Sequence, residues 1–288
     1  MKIAHSIDEV RKAVREARKE GKRIGFVPTM GFLHDGHISL VSISRENADF
    51  HVMSIFVNRL QFNDVYDFNT YPKDLERDLD VAEKGGVDLV FIPDDSEMYK
   101  NNLTTVDVEM LTDNLCGAHR PGHFRGVFTV VSKLFNIVQP DVAVFGQKDI
   151  QQAVSLEKMV ADLNFPIRMI IAPIKRESDG LAMSSRNKHL SPEQRTDALV
   201  LNRSLKKCGE LLNSGVTESV KIVSEMRKVI EEGSPDSIDY ISVVDYDTLK
   251  DAEFAGDRSV IAVAAFWGTT RLIDNMIAVR EGNSYKCK

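Results

Sequence analysis

Residues 23–41 read RIGFVPTMGFLHDGHISLV, and this stretch decides the kind of fold to expect. Arg23–Val27 is a short apolar run with the residue types of a strand, and Pro28 ends it. A glycine-containing loop, Thr29–Gly36, follows, and a helical pattern begins near Ile38. The order of strand, glycine loop and helix is that of a β–α unit.

The same alternation continues along the chain. Further strands are predicted at His51–Val57, Asp88–Ile92, Val142–Phe145 and Ile167–Ala172, and helices at Ser6–Lys19, Asp74–Lys84, 127–138 and Asp149–Ala161. Strands that alternate with helices imply right-handed crossovers and a parallel sheet covered on both faces. We therefore predict an α/β fold with a Rossmann-like, doubly wound parallel sheet.

The pattern changes after Arg176. A helix with a Ser-Pro start is predicted from Ser191 to Gly215, and a second from Thr217 to Glu232. Two strands follow, at Ile238–Val244 and Ser259–Phe266. We predict two domains, a Rossmann-like domain at 1–176 and a smaller α+β domain at 177–288.

The charge balance argues against one class of partner, although a local basic patch is compatible with an acidic total. The 288 residues include 37 Lys and Arg against 43 Asp and Glu, which gives a net charge of −6. Proteins that bind duplex nucleic acid usually carry a basic face, because neutralising phosphates supplies much of their affinity. We therefore predict no nucleic-acid partner.

Cysteine usage and hydropathy place the chain in the cytoplasm. The three cysteines, Cys116, Cys208 and Cys287, are far apart and form no metal-ligand pattern. Residues 1–23 are rich in charge and lack the apolar core of a signal peptide, and no apolar run is long enough to cross a bilayer. We predict a cytoplasmic protein with no membrane partner.

Three candidate segments follow predicted strands directly: Pro28–His37, Asn58–Asn63 and Gly146–Asp149. In doubly wound sheets ligands bind beyond the carboxyl ends of the strands. The three segments therefore predict one composite ligand site.

His34 and His37 stand three residues apart at the start of a predicted helix. At this spacing both imidazoles can point toward one anion, and the N–H groups and dipole of a helix N-terminus favour phosphate. The alternative is two solvated or capping histidines, and the pair taken alone favours that alternative. No Glu follows His34, so the pattern differs from a helical HExxH zinc site.

Other polar segments are ambiguous one by one. Lys148, in Gly146–Asp149, suits a phosphate as a point charge, and an ordinary solvated helix start is an equally good interpretation. The loop Ala182–Asn187 offers two hydroxyls and a guanidinium to a triphosphate, although serine-rich turns are common. Arg120–Gly126 presents two arginines for carboxylate or phosphate recognition, with a structural salt bridge as the alternative.

The ordered set of segments resembles the pantothenate synthetase (pantoate–β-alanine ligase) family of the HxGH nucleotidyltransferase superfamily. The matching stretches are Pro28–Gly31 with His34–His37, Phe56–Asn58 with Gln61 and Phe62, Arg120–Phe124 with Gly126 and Val127, Phe145–Asp149 with Gln151 and Gln152, and Asp179–Asn187. They span nearly the whole chain in order, so the set is far more specific than any single motif.

The resemblance implies roles for individual residues. The catalytic set would be His37, His34 and Lys148. The ATP site would be lined by Met30, Gly31, Phe32, Leu33, His34, Asp35, Gly36, His37, Gly146, Gln147, Lys148, Asp149, Lys175, Met183, Ser184, Ser185 and Arg186, with the C-terminal domain as a lid. Gln61 and Gln152 would bind pantoate, Gln61 also β-alanine, and Arg120 would lie by the phosphates or on the path by which substrates reach the site.

The resemblance also implies the chemistry. Pantoate would attack the α-phosphate of Mg²⁺-bound ATP, and β-alanine would then displace AMP from the pantoyl adenylate; the enzyme would be a homodimer. Glu76 and Asp78 could touch the metal through water, but a solvated helix face is the preferred interpretation. The chain departs from the family at Arg59, where proline is usual, at Gln147, where many members have Glu, and at Lys175, where an apolar residue is common.

Two other functions fit part of the pattern. A related nucleotidyltransferase would act on a phosphorylated small molecule and stop after nucleotidyl transfer, but it would need more cationic groups. A nucleotide-binding regulator or RNA-binding module with a decayed site would not need the site segments intact. Pyrophosphate release that depends on pantoate, followed by AMP formation only with β-alanine, separates the three.

Overall fold

The computed structural model describes residues 1–63 and 65–288, with the backbone alone at 65–67. The chain divides into two compact units. The first comprises residues 1–112, 117–146 and 155–172, and the second comprises 113–116, 147–154 and 173–288.

The first unit contains a six-stranded parallel sheet in the order β1-β4-β3-β2-β5-β6. Its strands are β1 (Lys2–Ala4), β2 (Ile24–Thr29), β3 (Phe50–Ile55), β4 (Leu89–Phe91), β5 (Val142–Gly146) and β6 (Arg168–Ala172). The predicted doubly wound parallel sheet is confirmed, and β1 is an additional edge strand that the sequence pattern did not indicate.

Helices alternate with these strands. They are α1 (Ile7–Lys19), α2 (Asp35–Asn47), α3 (Val65–Thr70), α4 (Leu75–Lys84), α5 (Asp95–Tyr99), α6 (Leu115–His119), α7 (His123–Val138) and α8 (Ile150–Asp162). Ser6 and Glu9 form the predicted capping box at the start of α1. In α7 almost every residue is buried, which explains its long apolar pattern.

The sheet reverses its order beside β2, which lies between β3 and β5. Reversal points of this kind leave a crevice at the carboxyl ends of the strands, where ligands bind. β2 continues past the predicted stop to Thr29, because Pro28 is tolerated within it. β2 pairs with β5 only at Gly25 and Phe26, so no partner strand on that side requires the N–H that proline lacks.

The second unit contains a four-stranded antiparallel sheet in the order β10-β9-β8-β7. The strands are β7 (Ser237–Asp245), β8 (Arg258–Trp267), β9 (Thr270–Glu281) and β10 (Ser284–Cys287). Its helices are α9 (Pro192–Asp197), α10 (Val200–Asn213) and α11 (Ser219–Glu231). The smaller α+β fold is confirmed, whereas β9 and β10 were not expected. The proposed boundary at 176 falls in the segment between β6 and α9.

The helix expected from Ser191 to Gly215 is wrong as a single element. It divides into α9 and α10, because the Leu199 and Leu201 N–H groups bond to carbonyls three residues earlier, at Thr196 and Ala198. The apolar stripe still continues into α10, where Leu205, Cys208 and Leu212 are buried. A continuous hydrophobic stripe therefore does not require a continuous helix.

Candidate functional site

The loop Met30–His37, which follows β2, contains a left-handed turn at Gly31 and Phe32, with φ of 84° and 52°. The carboxylate of Asp78, on α4, accepts the backbone N–H groups of Phe32 and Leu33, each at 2.7 Å. Asp78 is only 1% exposed, so the expectation of a solvated helix face is wrong at this position. Glu76 on the same helix is exposed.

Glycine is required at position 31. A Cβ there would lie 2.8 Å from Asp78 Oδ2 and 3.0 Å from Ile55 Cγ2, and the positive φ would add strain. The Phe32 backbone carries similar strain, of order 1 kcal/mol, which the Asp78 hydrogen bonds offset. Asp78 therefore fixes the path of the chain immediately before the two histidines.

His34 and His37 form a reciprocal capping box at the start of α2. Gly36 N–H donates to His34 Nδ1 at 3.1 Å, and His34 N–H donates to His37 Nδ1 at 3.2 Å. The ring centroids are 4.1 Å apart. A neutral imidazole that accepts at Nδ1 carries its proton on Nε2, so the hydrogen bonds assign an Nε2–H donor to each ring.

The cap changes the expected way in which this helix start binds an anion. The N–H groups of Gly36 and His37 bond to His34 Nδ1 and the His34 carbonyl, and those of Phe32 and Leu33 bond to Asp78. Four backbone donors near the helix start are therefore already used. The capping alternative is thus correct in part: the histidines cap the helix, and the cap orients their second ring nitrogens as donors.

Gln61 lies in a 3₁₀ turn, Arg59–Gln61, that follows β3. Its side-chain oxygen accepts from Asn58 Nδ2 at 2.9 Å, and its Nε2 lies 3.0 Å from Met30 Sδ. Asn58 is buried and also accepts from the Tyr99 hydroxyl at 2.5 Å. Burial raises the pKa of Tyr99, so the phenol stays protonated and can donate. The network fixes both amide groups.

The start of α7 packs on this turn. His123 Nδ1 lies 2.7 Å and an Arg120 guanidinium nitrogen 3.3 Å from the Gln61 carbonyl oxygen. A Cβ on Gly126 would lie 2.2 Å from the Leu60 carbonyl oxygen, so only glycine permits this approach. The structure therefore brings two of the predicted site residues, Gln61 and Arg120, into contact.

Arg59 stands where the resembling family usually has proline. Its Nε lies 2.5 Å from Asp95 Oδ2, and its guanidinium carbon lies 5.4 Å from the centroid of the Tyr99 ring. The side chains of Arg59 and Asp95 are both about half exposed. Arg59 thus contacts the residue that donates to Asn58, from the solvent side.

In the second unit, Gln147–Asp149 forms a 3₁₀ turn before α8, and we call it the Lys148 turn. Lys148 is partly exposed, with its Nζ 4.0 Å from Asp149 Oδ2. Gln147 is 4% exposed, and its Nε2 donates to Asn275 Oδ1 at 3.3 Å and to the Lys288 carbonyl at 2.9 Å. The Gln147 side chain therefore serves to fix the turn. The other predicted glutamine, Gln152, lies further along α8 and is half-buried.

Lys175 and Met183–Arg186 are brought together at the ends of a short antiparallel contact. The Met183 N–H donates to the Lys175 carbonyl at 3.0 Å, next to a bridge between Arg176 and Ala182. Ser184 Oγ accepts the Arg186 N–H at 3.3 Å, which begins a 3₁₀ turn. Ser184 is half-buried and Arg186 is exposed, so a ligand can reach both side chains.

Two other classes of site do not occur in the described chain. Among the side chains that the structure describes, those of residues 1–63 and 68–288, no group of three or more His, Cys, Asp or Glu could hold a metal ion. In the same part of the chain, no helix is both long and apolar enough to cross a membrane.

Several residues of structural importance were not predicted from sequence. Asp78, Tyr99 and Asn275 do not follow a glycine motif or a strand end on the first sheet, so no local pattern marks them. The sequence gives one indication of such a residue, namely a polar side chain at a helix position that the apolar pattern assigns to the buried face. Asp78 in α4 is an example.

Comparisons with known proteins agree with one another. The family model for pantoate–β-alanine ligase matches residues 2–277. The pantothenate synthetase of Thermoanaerobacter sp. (strain X514) is 53% identical over 278 residues, which cover 96% of this chain and 98% of that protein. That of Geobacter sulfurreducens is 49% identical over 282 residues, covering 98% of this chain and 100% of that protein.

Solved structures give the same result. The pantothenate synthetase from Thermus thermophilus superposes with a TM-score of 0.90 at 42% identity, covering 96% of this chain and 98% of that one. The pantoate–β-alanine ligase of Francisella tularensis, complexed with β,γ-ATP and β-alanine, superposes with a TM-score of 0.78 at 32% identity, covering 96% of this chain and 97% of that one.

Proposed function

This chain belongs to the pantoate–β-alanine ligase family, and we propose that the residues described above carry out the reaction of that family. The enzyme joins pantoate to β-alanine and uses ATP as co-substrate. In the first step, a pantoate carboxylate oxygen attacks the α-phosphorus of ATP, and pyrophosphate leaves. In the second, the β-alanine amine attacks the acyl carbon of pantoyl adenylate, loses a proton, and AMP leaves.

His34 and His37 would donate from Nε2 to oxygens of the ATP phosphates. The observation that carries this assignment is the capping box, which places the acceptor nitrogen of each ring on a backbone N–H and leaves the proton on Nε2. Donors fixed before the reaction stabilise charge that builds on phosphoryl oxygens and need no reorganisation. His37 is the residue we expect to contribute most.

The remaining ATP contacts would come from both charged and backbone groups. Lys148 would act as the cation on the phosphates, within Gly146, Gln147, Lys148 and Asp149. Ser184, Ser185 and Arg186 would add hydroxyl and guanidinium contacts beside Met183. Lys175 would contact the nucleotide through its backbone, which the Met183 N–H holds in place by donating to the Lys175 carbonyl.

Gln61 and Gln152 would bind pantoate, and Gln61 would also meet β-alanine. Support comes from the turn at Arg59–Gln61, where the Gln61 oxygen is fixed by Asn58 and its backbone by His123. Arg120 donates to the Gln61 carbonyl, which favours a place on the path of the substrates.

Mg²⁺ would enter with ATP as part of the substrate. The described residues contain no carboxylate cluster able to bind an ion by themselves, so the donor set fits an ion carried mainly by phosphates. A homodimer and a cytoplasmic location remain predictions.

One assay tests the function. Purified enzyme with Mg²⁺-ATP should release pyrophosphate only when pantoate is present and form AMP only when β-alanine is then added. Equal ATP turnover without pantoate would refute the substrate assignment. Pyrophosphate release with a phosphorylated substrate, without AMP, would instead identify a nucleotidyltransferase of another specificity.

A further inference from the structure

We propose that Asp274 and Asn275, adjacent residues on β9, are positioning residues that together fix the two ATP-binding segments of the second unit. The proposal rests on the function proposed above, because it assigns these two residues to the placement of Lys148 and of the loop Met183–Arg186. Both side chains are buried, and each residue is 3% exposed.

Asn275 contacts both residues at the start of the Lys148 turn. Its Nδ2 donates to the Gln147 carbonyl at 3.0 Å and to the Lys148 carbonyl at 2.9 Å, and its Oδ1 accepts from Gln147 Nε2 at 3.3 Å. The buried Asn275 amide thus makes three hydrogen bonds, two as donor and one as acceptor, to a turn up to 128 residues earlier in the chain. The direction in which Lys148 leaves the backbone depends on this amide.

Asp274 fixes the second segment. Its two carboxylate oxygens accept from the Arg176 guanidinium at 2.6 and 3.0 Å. The same guanidinium donates to the Gly180 carbonyl at 3.1 Å, and Arg176 forms the bridge with Ala182, directly before Met183. A bidentate Arg–carboxylate pair sets geometry as well as energy, so the approach to the loop is fixed from β9.

The two residues also contact each other. The Asn275 N–H donates to Asp274 Oδ1 at 2.8 Å, so one carboxylate oxygen serves both Arg176 and the backbone of Asn275. A displacement of the Asp274 carboxylate would therefore be felt at Asn275 and, through it, at the Lys148 turn. Networks of this kind are coupled, so the effects of removing their members do not simply add.

The same strand provides a matched control. Arg271 on β9 pairs with Asp239 on β7 at 2.6 and 2.8 Å, and both side chains are largely buried. Like Arg176–Asp274 it is a largely buried Arg–carboxylate pair, although both of its hydrogen bonds go to one oxygen, Asp239 Oδ2. These two hydrogen bonds do not involve the ATP-binding segments. Loss of either pair should lower stability, whereas only loss of Asp274 or Asn275 should alter the chemistry.

The test measures pantoate-dependent pyrophosphate release by full-length Asn275→Ala, Asn275→Asp, Asp274→Asn and Asp239→Asn, at a temperature where each is folded by circular dichroism. We expect Asn275→Ala to lower kcat roughly 10- to 100-fold, the range typical of a misplaced catalytic group. Asn275→Asp should lower it further, because its carboxylate faces two carbonyl oxygens. Asp239→Asn should stay within about twofold of wild type, because its hydrogen bonds with Arg271 fix neither ATP-binding segment.

A double-mutant cycle separates positioning from general destabilisation. Lys148→Ala alone should lose activity, and Asn275→Ala should add little in that background, because it acts through Lys148. Wild-type kcat in folded Asn275→Ala, an additive cycle, or an equal loss in Asp239→Asn would overturn the proposal. If Lys148→Ala itself keeps wild-type activity, the failure lies in the proposed role of Lys148.

Asp274→Asn leaves Arg176 without its charge partner and can prevent folding. The double variant Arg176→Met/Asp274→Leu removes both charges, a change that is often neutral for stability. We expect it to fold and to raise the KM for ATP at least threefold, about 0.65 kcal/mol by the binding constant relation. An unchanged KM and kcat would show that the ion pair does not position the loop.

Discussion

Two segments carry the proposed phosphate donors, and buried side chains of opposite hydrogen-bonding character, an acceptor and a donor, hold them in place. In the first unit, the loop Met30–His37 presents N–H groups, and the buried Asp78 carboxylate accepts two of them. In the second unit, the Lys148 turn presents carbonyl groups, and the buried Asn275 amide donates to two of them. In each case the protein satisfies the backbone itself and leaves side chains to meet the ligand.

The difference lies in which backbone groups the buried side chain satisfies. Both segments lead into a helix, but the first directs the Phe32 and Leu33 N–H groups to Asp78, whereas the second directs the Gln147 and Lys148 carbonyls to Asn275. An acceptor anion suits the first and a donor amide the second. A segment near a helix start therefore does not need free backbone N–H groups to bind phosphate, since fixed side-chain donors can take that part.

The largest expected effect comes from the side chain that the loop presents. His37→Ala should lower pantoate-dependent pyrophosphate release by about 10²-fold or more, because one preorganised donor to a developing charge is lost. Initial rates at saturating ATP and pantoate measure the effect. His5→Ala is the control, since His5 is exposed and its ring Nδ1 lies 3.1 Å from the Ile92 carbonyl oxygen, outside the candidate site. Wild-type turnover of His37→Ala would remove the residue from the mechanism.

Asp78→Asn should have the next largest effect. Asparagine keeps the shape but turns one acceptor oxygen into a donor that faces a backbone N–H, so one hydrogen bond is replaced by repulsion. We expect a loss of about 1–3 kcal/mol in the free energy of unfolding and roughly a tenfold lower kcat. Urea unfolding and initial rates measure the two.

Asp74→Asn is the matched control for Asp78→Asn. Asp74 caps the same helix by accepting the Arg77 N–H at 3.2 Å, and asparagine caps nearly as well. Its kcat should equal that of wild type. Equal rates in both variants would show that the loop does not depend on the Asp78 carboxylate.

Tyr99→Phe should have a smaller effect, confined to pantoate. It removes the hydroxyl that donates to Asn58 but keeps the ring in place, and Asn58 Oδ1 still lies 3.3 Å from the Leu60 nitrogen. Loss of about 1 kcal/mol of hydrogen bonding corresponds to roughly a fivefold higher KM for pantoate, with the KM for ATP unchanged. A change in both constants would point to a wider rearrangement.

The smallest expected effect is that of Arg59→Ala. The ion pair with Asp95 is half exposed, and such pairs contribute about 0–1 kcal/mol. The KM for pantoate should change less than about threefold, and the difference should shrink in roughly 0.5 M NaCl as screening increases. A large change in the KM for pantoate that persists at high salt would show that the bulk of the Arg59 side chain, and not its charge, controls access to Gln61.

The first unit was largely predictable from its sequence, because its elements are local. A strand, a glycine loop and a helix are each visible within about twenty residues, and Ser6 with Glu9 predicted a cap that the structure contains. The parallel arrangement of the strands followed from right-handed crossovers. The histidine pair was found, but its reciprocal cap was only one of two interpretations, since sequence does not show which nitrogen accepts.

The second unit was less predictable for the same physical reason. In β9, Asp274 and Asn275 interrupt an apolar pattern, and their partners at Arg176 and the Lys148 turn lie 98 and 127 residues earlier. No periodicity records a contact of that separation. Asp78 shows the same limit on a smaller scale, because a charged residue in an amphipathic helix normally indicates solvent.

The reciprocal cap of His34 and His37 has a thermodynamic consequence for nucleotide recognition. Each ring is tied to a backbone N–H, so its rotamers are restricted when the helix forms and not when the ligand arrives. Ordering a side chain at an interface commonly costs about 0.5–1.5 kcal/mol, and here that entropy loss belongs to folding. Nucleotide binding to this segment should therefore show little conformational entropy change from the two rings, and mutations that loosen the cap should appear in calorimetry as a less favourable binding entropy before any contact is lost.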